Sequence, residues 1–177
     1  MKTANNSSRL VDLVRTAFPQ VKCSTEVFLG SVQGVFEIEL DQLKRFSVGL
    51  KGDADLKLAA LENFSVYQTE RVLVFTYFLV RTDSNESIAI RTQAEIPADG
   101  RWVEVPSLVS EWPMINPFED EASELFGVRF LIEGTKTRPA SAQLLPAGWK
   151  GFPLRKNYIF PTEFLGISHV RQKGMSQ

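Results

Sequence analysis

Beyond Gly134 a proline recurs at Pro139, Pro146, Pro153 and Pro161, with Gly148, Gly151, Gly166 and Gly174 between them. Each proline removes an amide donor and fixes φ, and each glycine loosens the backbone, so neither a helix nor a long strand can run through this stretch. Yet the stretch holds Leu144, Leu145, Trp149, Phe152, Leu154, Tyr158, Phe160, Phe164 and Leu165. Disordered linkers are poor in such side chains. A chain end that cannot build regular elements, but carries many apolar anchors, has to lie along a surface, its own or a neighbour's. The chain therefore divides into a globular body over residues 1–134 and an extended docking tail over residues 135–177.

Charge follows the same division. From residue 135 onward seven basic residues face the single acid Glu163, a balance of about +6, whereas residues 1–134 hold 13 basic and 20 acidic side chains, about −7. A basic tail on an acidic body points to an acidic docking partner. The net charge of −1 over the whole chain argues against nucleic-acid binding by the body.

The body reads as α+β, a mainly antiparallel sheet packed by helices. Leu10, Leu13, Val14 and Ala17 fall on one helical face behind a Ser7/Ser8 cap, with Pro19 just past the end. Residues 27–40 alternate as a strand or hairpin, and 41–50 is predicted as a short helix capped by Asp41. A second helical stretch is expected over 55–61, leading into Phe64–Gln68. Val72–Arg81 is apolar on both faces and reads as a central strand. Ser87–Ile96 alternates and reads as a strand with one wet face. In Asn116-Pro117-Phe118-Glu119 an N-cap, a proline at the first helical position and a glutamate at the third form a capping-box pattern. Phe118, Ala122, Leu125 and Phe126 then share a face, Gly127 ends the helix, and Val128–Ile132 resumes as a strand.

Residues 119–127, Glu-Asp-Glu-Ala-Ser-Glu-Leu-Phe-Gly, resemble a signature of the 30-kDa subunit family of respiratory complex I (NADH-quinone oxidoreductase). That signature runs Glu-Arg-Glu, two variable residues, an acid, two apolar residues and Gly. A second block follows: Leu144-Leu145-Pro146, Trp149, Gly151 and Pro153-Leu154-Arg155-Lys156-Asn157-Tyr158. It is similar to the family's Leu-Pro, Trp, Gly and Pro-Leu-Arg-Lys-Asp-Tyr. The resemblance is strongest over residues 107–158, where Pro106-Ser107-Leu108-Val109 and Trp112-Pro113 match a Ser-rich lead-in to the signature helix. Asp120 stands where the family prefers Arg, and Asn157 where it prefers Asp. The family's Gly-His-Pro becomes Thr137-Arg138-Pro139, and its following Leu-Arg-Arg becomes Ser141-Ala142-Gln143. These departures imply an altered contact with the neighbour or a divergent branch, such as the related subunit of membrane-bound nickel–iron hydrogenases.

What the resemblance implies is a cofactor-free structural subunit of the hydrophilic arm, on the cytoplasmic side of the membrane. It would sit beside the cluster-binding and quinone-site subunits, which would hold the iron–sulfur clusters and the quinone, with the flavin also on partner subunits. It would touch the membrane only through the complex. The family-motif residues Glu119, Glu121, Glu124, Gly127, Pro139, Trp149, Gly151, Pro153, Leu154, Arg155 and Lys156 are the expected partner contacts. Composition points the same way. A self-contained cluster takes four thiolates, or two with two histidines, and the chain has one cysteine, Cys23, and one histidine, His169. The same counts leave no zinc site of the usual kind. Both residues read as incidental.

Met1–Arg15 contains no apolar run of signal-peptide length, and Val72–Val80 is far too short to span a bilayer, so a reducing compartment such as the cytoplasm is expected.

Other chemistries compete for the same residues. Glu119, Glu121 and Glu124 fit a carboxylate metal site or an acid/base pair, but the expectation is a solvated helix face with Glu119 as a cap. Arg155-Lys156 alone reads as a solvated pair or a phosphate contact. With the resemblance it reads as an ion pair to an adjacent subunit. Trp149 and Phe152 are either cover for the body or interface anchors. An RNA- or phosphate-binding module is weakened by the acidic body and the lack of a Gly-rich phosphate loop. An enzyme acting through carboxylates lacks a nucleophile or histidine base to accompany them.

Overall fold

A computed structural model describes residues 7–28, 31–58, 60–84, 86–132, 136–137 and 144–168. Helix α1 (Ser7–Ala17) is followed by a β1–β2 hairpin (Lys22–Phe28 and Ser31–Glu37) and helix α2 (Leu43–Gly52). Strands β3 (Ala60–Thr69), β4 (Val72–Val80) and β5 (Ser87–Glu95) then form an antiparallel meander. The meander folds back so that β5 lies parallel to β2, giving a five-stranded sheet in the order β1-β2-β5-β4-β3. A second, three-stranded sheet places β7 (Val128–Ile132) between β6 (Val103–Pro106), to which it is parallel, and β8 (Lys136–Thr137), to which it is antiparallel. Helix α3 (Asn116–Phe126) connects β6 to β7 after a single 3₁₀ turn at Pro113–Ile115. The fold is α+β, as expected. β8 extends the body's pairing slightly past the expected boundary at residue 134.

The patterning explains the layers. β4 lies between β3 and β5 and is buried almost throughout, as its two apolar faces require. On β5 Ile88, Ile90 and Thr92 are buried, but the opposite face is wet only at its C-terminal end, where Gln93 and Glu95 face water, because Ala89 on that face is buried as well. One continuous core joins Leu10 and Val14 of α1, Leu43, Phe46 and Leu50 of α2, Phe75, Tyr77 and Leu79 of β4, and Val105 and Phe130 of the second sheet. The expected cap at Ser7/Ser8 falls on side chains outside those described.

Three local expectations are corrected. Residues 55–61 are not helical. The Asp53 carboxylate accepts the Asp55 and Leu56 amides in a turn, Lys57 takes a positive φ of 51°, and β3 begins at Ala60. A side chain that satisfies the amides two and three residues ahead favours a turn over a helix. Asp41 does not cap α2, which starts at Leu43 behind Gln42 without a side-chain cap. Asn116 does not stand outside its helix either. The preceding 3₁₀ turn runs straight into α3, so Asn116 already has helical angles (φ −49°, ψ −52°).

Candidate functional site

The family motifs converge on one corner of the body, where α3 meets the returning tail. Helix α3 positions three glutamates on different sides. Glu119 falls in step with Ile115, Ala122 and Phe126, so it points inward, and it is 0 % exposed. Its two oxygens are both used: the Ser107 hydroxyl donates to one at 2.8 Å and the Leu108 amide to the other at 2.9 Å. A solvated cap at this position is therefore overturned. Buried carboxylates persist only when their oxygens are hydrogen-bonded, and the 107–108 turn supplies the donors. The neighbouring Tyr77 phenol is fully buried, and its pKa is pushed well up by that burial and by the charge on Glu119.

Other groups hold the same turn. The Lys44 ammonium donates to the Ser107 carbonyl (3.0 Å) and the Ser110 hydroxyl (2.6 Å), and pairs with Glu111 (2.6 Å). The Trp112 indole donates to the Leu58 carbonyl at 3.1 Å. Residues 107–112, which carry no regular element, are thus pinned from three directions.

Glu124 faces the tail and accepts the amides of Leu144 (2.8 Å) and Leu145 (2.6 Å). Glu121 is exposed, on the rim of a groove of about 240 Å³ floored by Phe64, Phe118, Ala122 and Phe126 and bordered by Leu154. The three glutamates therefore do not converge, and no group of metal-ligating side chains occurs among the described residues.

Gly127 closes α3 in the left-handed region (φ 69°, ψ 49°), its amide returning to the Ser123 carbonyl. Only glycine fits here on two counts: the backbone angle, and the Phe152 ring, which a Cβ would overlap. Phe152 packs edge-on to Trp102 at 4.7 Å and lies under the Arg155 guanidinium at 4.5 Å.

The motif leads one to expect Arg155 paired with an acid of a neighbouring subunit. It is instead 5 % exposed and turned into its own body. It donates to the carbonyls of Phe126 (2.7 Å), Gly127 (3.1 Å), Gly100 (2.5 Å) and Arg101 (2.8 Å). Two of these acceptors are the end of α3, where helix carbonyls lack intrahelical partners and the helix dipole favours a cation. Burial lowers the guanidinium pKa. The planar, five-donor fork explains why Arg serves here: a point-like ammonium cannot reach four carbonyls at once.

The rest of the second block extends the attachment. The Leu154 amide donates to the Leu125 carbonyl (3.1 Å), and the Lys156 amide to the Gln68 side chain (2.9 Å). Leu154 is half exposed, Pro153 partly buried, and the Lys156 side chain faces solvent. Gly151 has φ 81° and packs on the Tyr158 ring, whose hydroxyl donates to the Lys150 carbonyl. Trp149 is partly buried against Tyr158, Phe160 and Phe164. Phe152 is thus internal cover, while Trp149 belongs to a separate aromatic cluster. Pro139 and His169 lie outside the described residues.

Sequence reasoning missed Lys44, Gln68, Trp102, Ser107 and Glu111 as partners of the motif residues. One signal was available: position 119 keeps the spacing of the apolar stripe, which places its carboxylate inside.

Comparisons with known proteins follow the same stretch of chain. The family described as "Respiratory-chain NADH dehydrogenase, 30 Kd subunit" matches residues 36–163. An NADH-quinone oxidoreductase subunit of Acidothermus cellulolyticus is 27% identical over 170 residues, covering 90% of this chain and 83% of that protein. The corresponding protein of Roseiflexus is 26% identical over 158 residues, covering 87% and 84%. A longer NADH-quinone oxidoreductase subunit from Acidiphilium cryptum is 34% identical over 83 residues; the match covers 47% of this chain and only 13% of that protein. The backbone is also similar to a chain of the membrane-bound sulfane sulfur reductase, an archaeal respiratory membrane complex. The TM-score is 0.57 at 16% identity, covering 72% of this chain and 70% of the other, a likeness of fold.

Proposed function

The chain belongs to the respiratory-chain NADH dehydrogenase 30 Kd subunit family, and from that premise we propose that it is a cofactor-free scaffold of the hydrophilic arm of an NADH:quinone oxidoreductase. In this reading it stands on the cytoplasmic side, beside the cluster-binding and quinone-site subunits. Those partners hold the iron–sulfur clusters and quinone, and partner subunits also hold the flavin. No helix among the described residues is long and apolar enough to cross a membrane, so the chain would reach the bilayer through its partners.

One observation carries the reading: three charged side chains of the family motifs, Glu119, Glu124 and Arg155, are used to build the fold. A general acid or base has to reach the proton it transfers. Glu119 is sealed from solvent with both oxygens bonded, the oxygens of Glu124 hold the tail, and Arg155 holds the end of α3. The motif thus organises a platform, from which the chain would contact a neighbour. One cysteine and one histidine also give too few ligands for a cluster.

The test is a strain lacking this gene. Its membranes should lose the assembled complex and its NADH:quinone reductase activity, and the wild-type gene should restore both. The purified chain should be colourless and unable to oxidise NADH. An intact, active complex without the chain overturns the scaffold reading, and a visible absorption band from the anaerobically purified chain overturns the cofactor-free part of it.

A further inference from the structure

A cleft of about 610 Å³ opens between the end of α1 and one side of α2. Gly49 lets Phe18 lie across α2 there, since a Cβ at that position would stand 2.9 Å from the tip of the Phe18 ring. Phe18 in turn meets Phe46 edge-on at 4.8 Å. These two rings, with Val21 and Ile38, give the cleft an apolar floor, and Val48 adds an apolar rim. Three polar side chains also line it: Gln42 and Arg45, one turn apart on α2, and Gln20 on the opposite wall. None of the three side chains has a hydrogen-bond or ion-pair partner among the described residues. Arg45 is the one charge in the lining, because the acids nearest along the chain, Glu39 and Asp41, open onto a neighbouring cleft beside Pro106. Small-molecule sites are typically apolar clefts of about 300–1,000 Å³ with a few polar groups that fix orientation.

We propose that this cleft binds an amphiphilic monoanion, a carboxylate on an unbranched apolar chain, as in a free fatty acid. The carboxylate takes the Arg45 guanidinium, whose planar fork matches it bidentately, and the carboxamides of Gln42 and Gln20 donate to it from either side. The chain covers Phe18, Val21, Ile38 and Phe46. One positive charge selects one negative charge: a dianion leaves a charge unmatched beside an apolar floor, and a neutral ligand leaves the guanidinium unpaired. An anion without an apolar body leaves the floor wet. A bilayer fits less well, because insertion needs apolar groups that project, and of the large apolar side chains lining this cleft only Val48, 52 % exposed, stands out in water. The site shares no residue with the α3 corner and does not rest on the scaffold reading.

The experiment titrates dodecanoate, kept below its micelle-forming concentration, into the purified full-length chain and follows the heat. Dodecyltrimethylammonium (the same chain with the opposite head) and acetate (the head alone) are the comparison ligands. Dodecanoate should fill one saturable site that neither comparison ligand reaches. Arg45→Gln should weaken that binding about 10-fold or more. Arg45→Glu should abolish it and admit dodecyltrimethylammonium instead. Arg71→Gln, at an exposed cation lining a different cleft, should leave it unchanged. Arg45 is exposed too, so its variants should melt like the wild type. Nuclear Overhauser contacts from the bound methylenes to the Ile38 and Val48 methyl groups locate the chain, and decide the matter alone if an Arg45 variant melts early. Four results overturn the proposal: no saturable site, equal binding of the two amphiphiles, acetate binding as tightly as dodecanoate, or contacts to methyl groups elsewhere. Flotation on phosphatidylglycerol vesicles that Arg45→Gln abolishes, without binding of free dodecanoate, shows a lipid-facing surface and also overturns it. The titration uses the chain alone, so its outcome is independent of what the strain lacking the gene shows.

Discussion

Helix α3 and the distal tail are opposites in composition and opposites in fate. Residues 116–126 carry four acidic side chains, yet Glu119 and Asp120 are buried and Glu124 is bonded to the tail. Residues 159–168 carry one charge and five large apolar side chains, and four of those five stand in water. Polarity alone predicts the reverse placement. The helix tolerates buried charge because a turn from a different part of the chain offers two donors to one carboxylate. The tail exposes apolar surface because its turns and short strands give it no face broad enough to lay on the body. Charge in the first region stabilises the fold, whereas the apolar surface in the second stays exposed to solvent.

The sharpest way to break this contrast is at Glu119. Replacing it by Ala leaves the Ser107 hydroxyl and the Leu108 amide buried without their acceptor, and should lower the unfolding free energy by about 4 kcal/mol. Glu119→Gln keeps one acceptor oxygen and should lose roughly half as much. Urea unfolding followed by tryptophan fluorescence measures both, and a wild-type midpoint for the Ala variant would return Glu119 to the solvated face.

Arg155 comes next. Arg155→Ala releases four carbonyl acceptors and should lower stability by about 3 kcal/mol, offset in part by relief of a buried charge. It should also free residues 144–158 for proteolysis. Arg155→Lys should fall between, since an ammonium cannot reproduce the fork. An unchanged digestion pattern in the Ala variant would show that the proximal tail is held without the latch.

Gly127→Ala tests the join itself. A side chain at φ 69° is strained, and it also displaces the Phe152 ring. A drop of about 2 kcal/mol is expected, with a shift in Trp102 emission as its aromatic contact opens. Loss of stability without that shift would separate helix termination from tail docking.

The smallest effect is at the edge of the large sheet, where a partly exposed ion pair gives the scale for a charge that is not fully buried. Glu26 and Glu37 both contact Arg91. The hydrogen bond from Arg91 lowers the Glu26 pKa below its ordinary 4.5. A depressed carboxylate contributes stability above its ordinary pKa and loses it as pH falls through the folded value, so the loss lies on the acid side of 4.5. Because Glu26 is more than one third exposed, the contribution should be only about 0.5 kcal/mol. Stability curves for wild type and Glu26→Gln should differ near neutral pH and converge in acid. Parallel curves would show no contribution from the pair.

Much of the fold was legible because periodicity is local. The apolar stripe of α1, the doubly apolar β4, the alternating β5 and the Gly127 stop each follow from spacing within one element. The helix expected over residues 55–61 failed because one side chain, Asp53, redirects the amides that follow it. At the site, the motif blocks were legible, but the roles of single residues were not. Arg155 and Lys156 are adjacent basic residues, and nothing in their order shows that one is sealed inside and the other is in water.

The sequence by itself determined an α+β body with the strong patterns of its strands and helices, a basic tail unable to form long regular elements, and a shortage of cluster ligands. Only the tertiary structure decided which charges are internal. Burying an ionised group is favourable only where enough donors or acceptors converge on it. Those for Glu119 come from residues 107 and 108, and those for Arg155 from residues 100, 101, 126 and 127. These partners lie 11 to 55 positions away along the chain, beyond the reach of any local period, so the folded backbone has to bring them together before the charge can find its place.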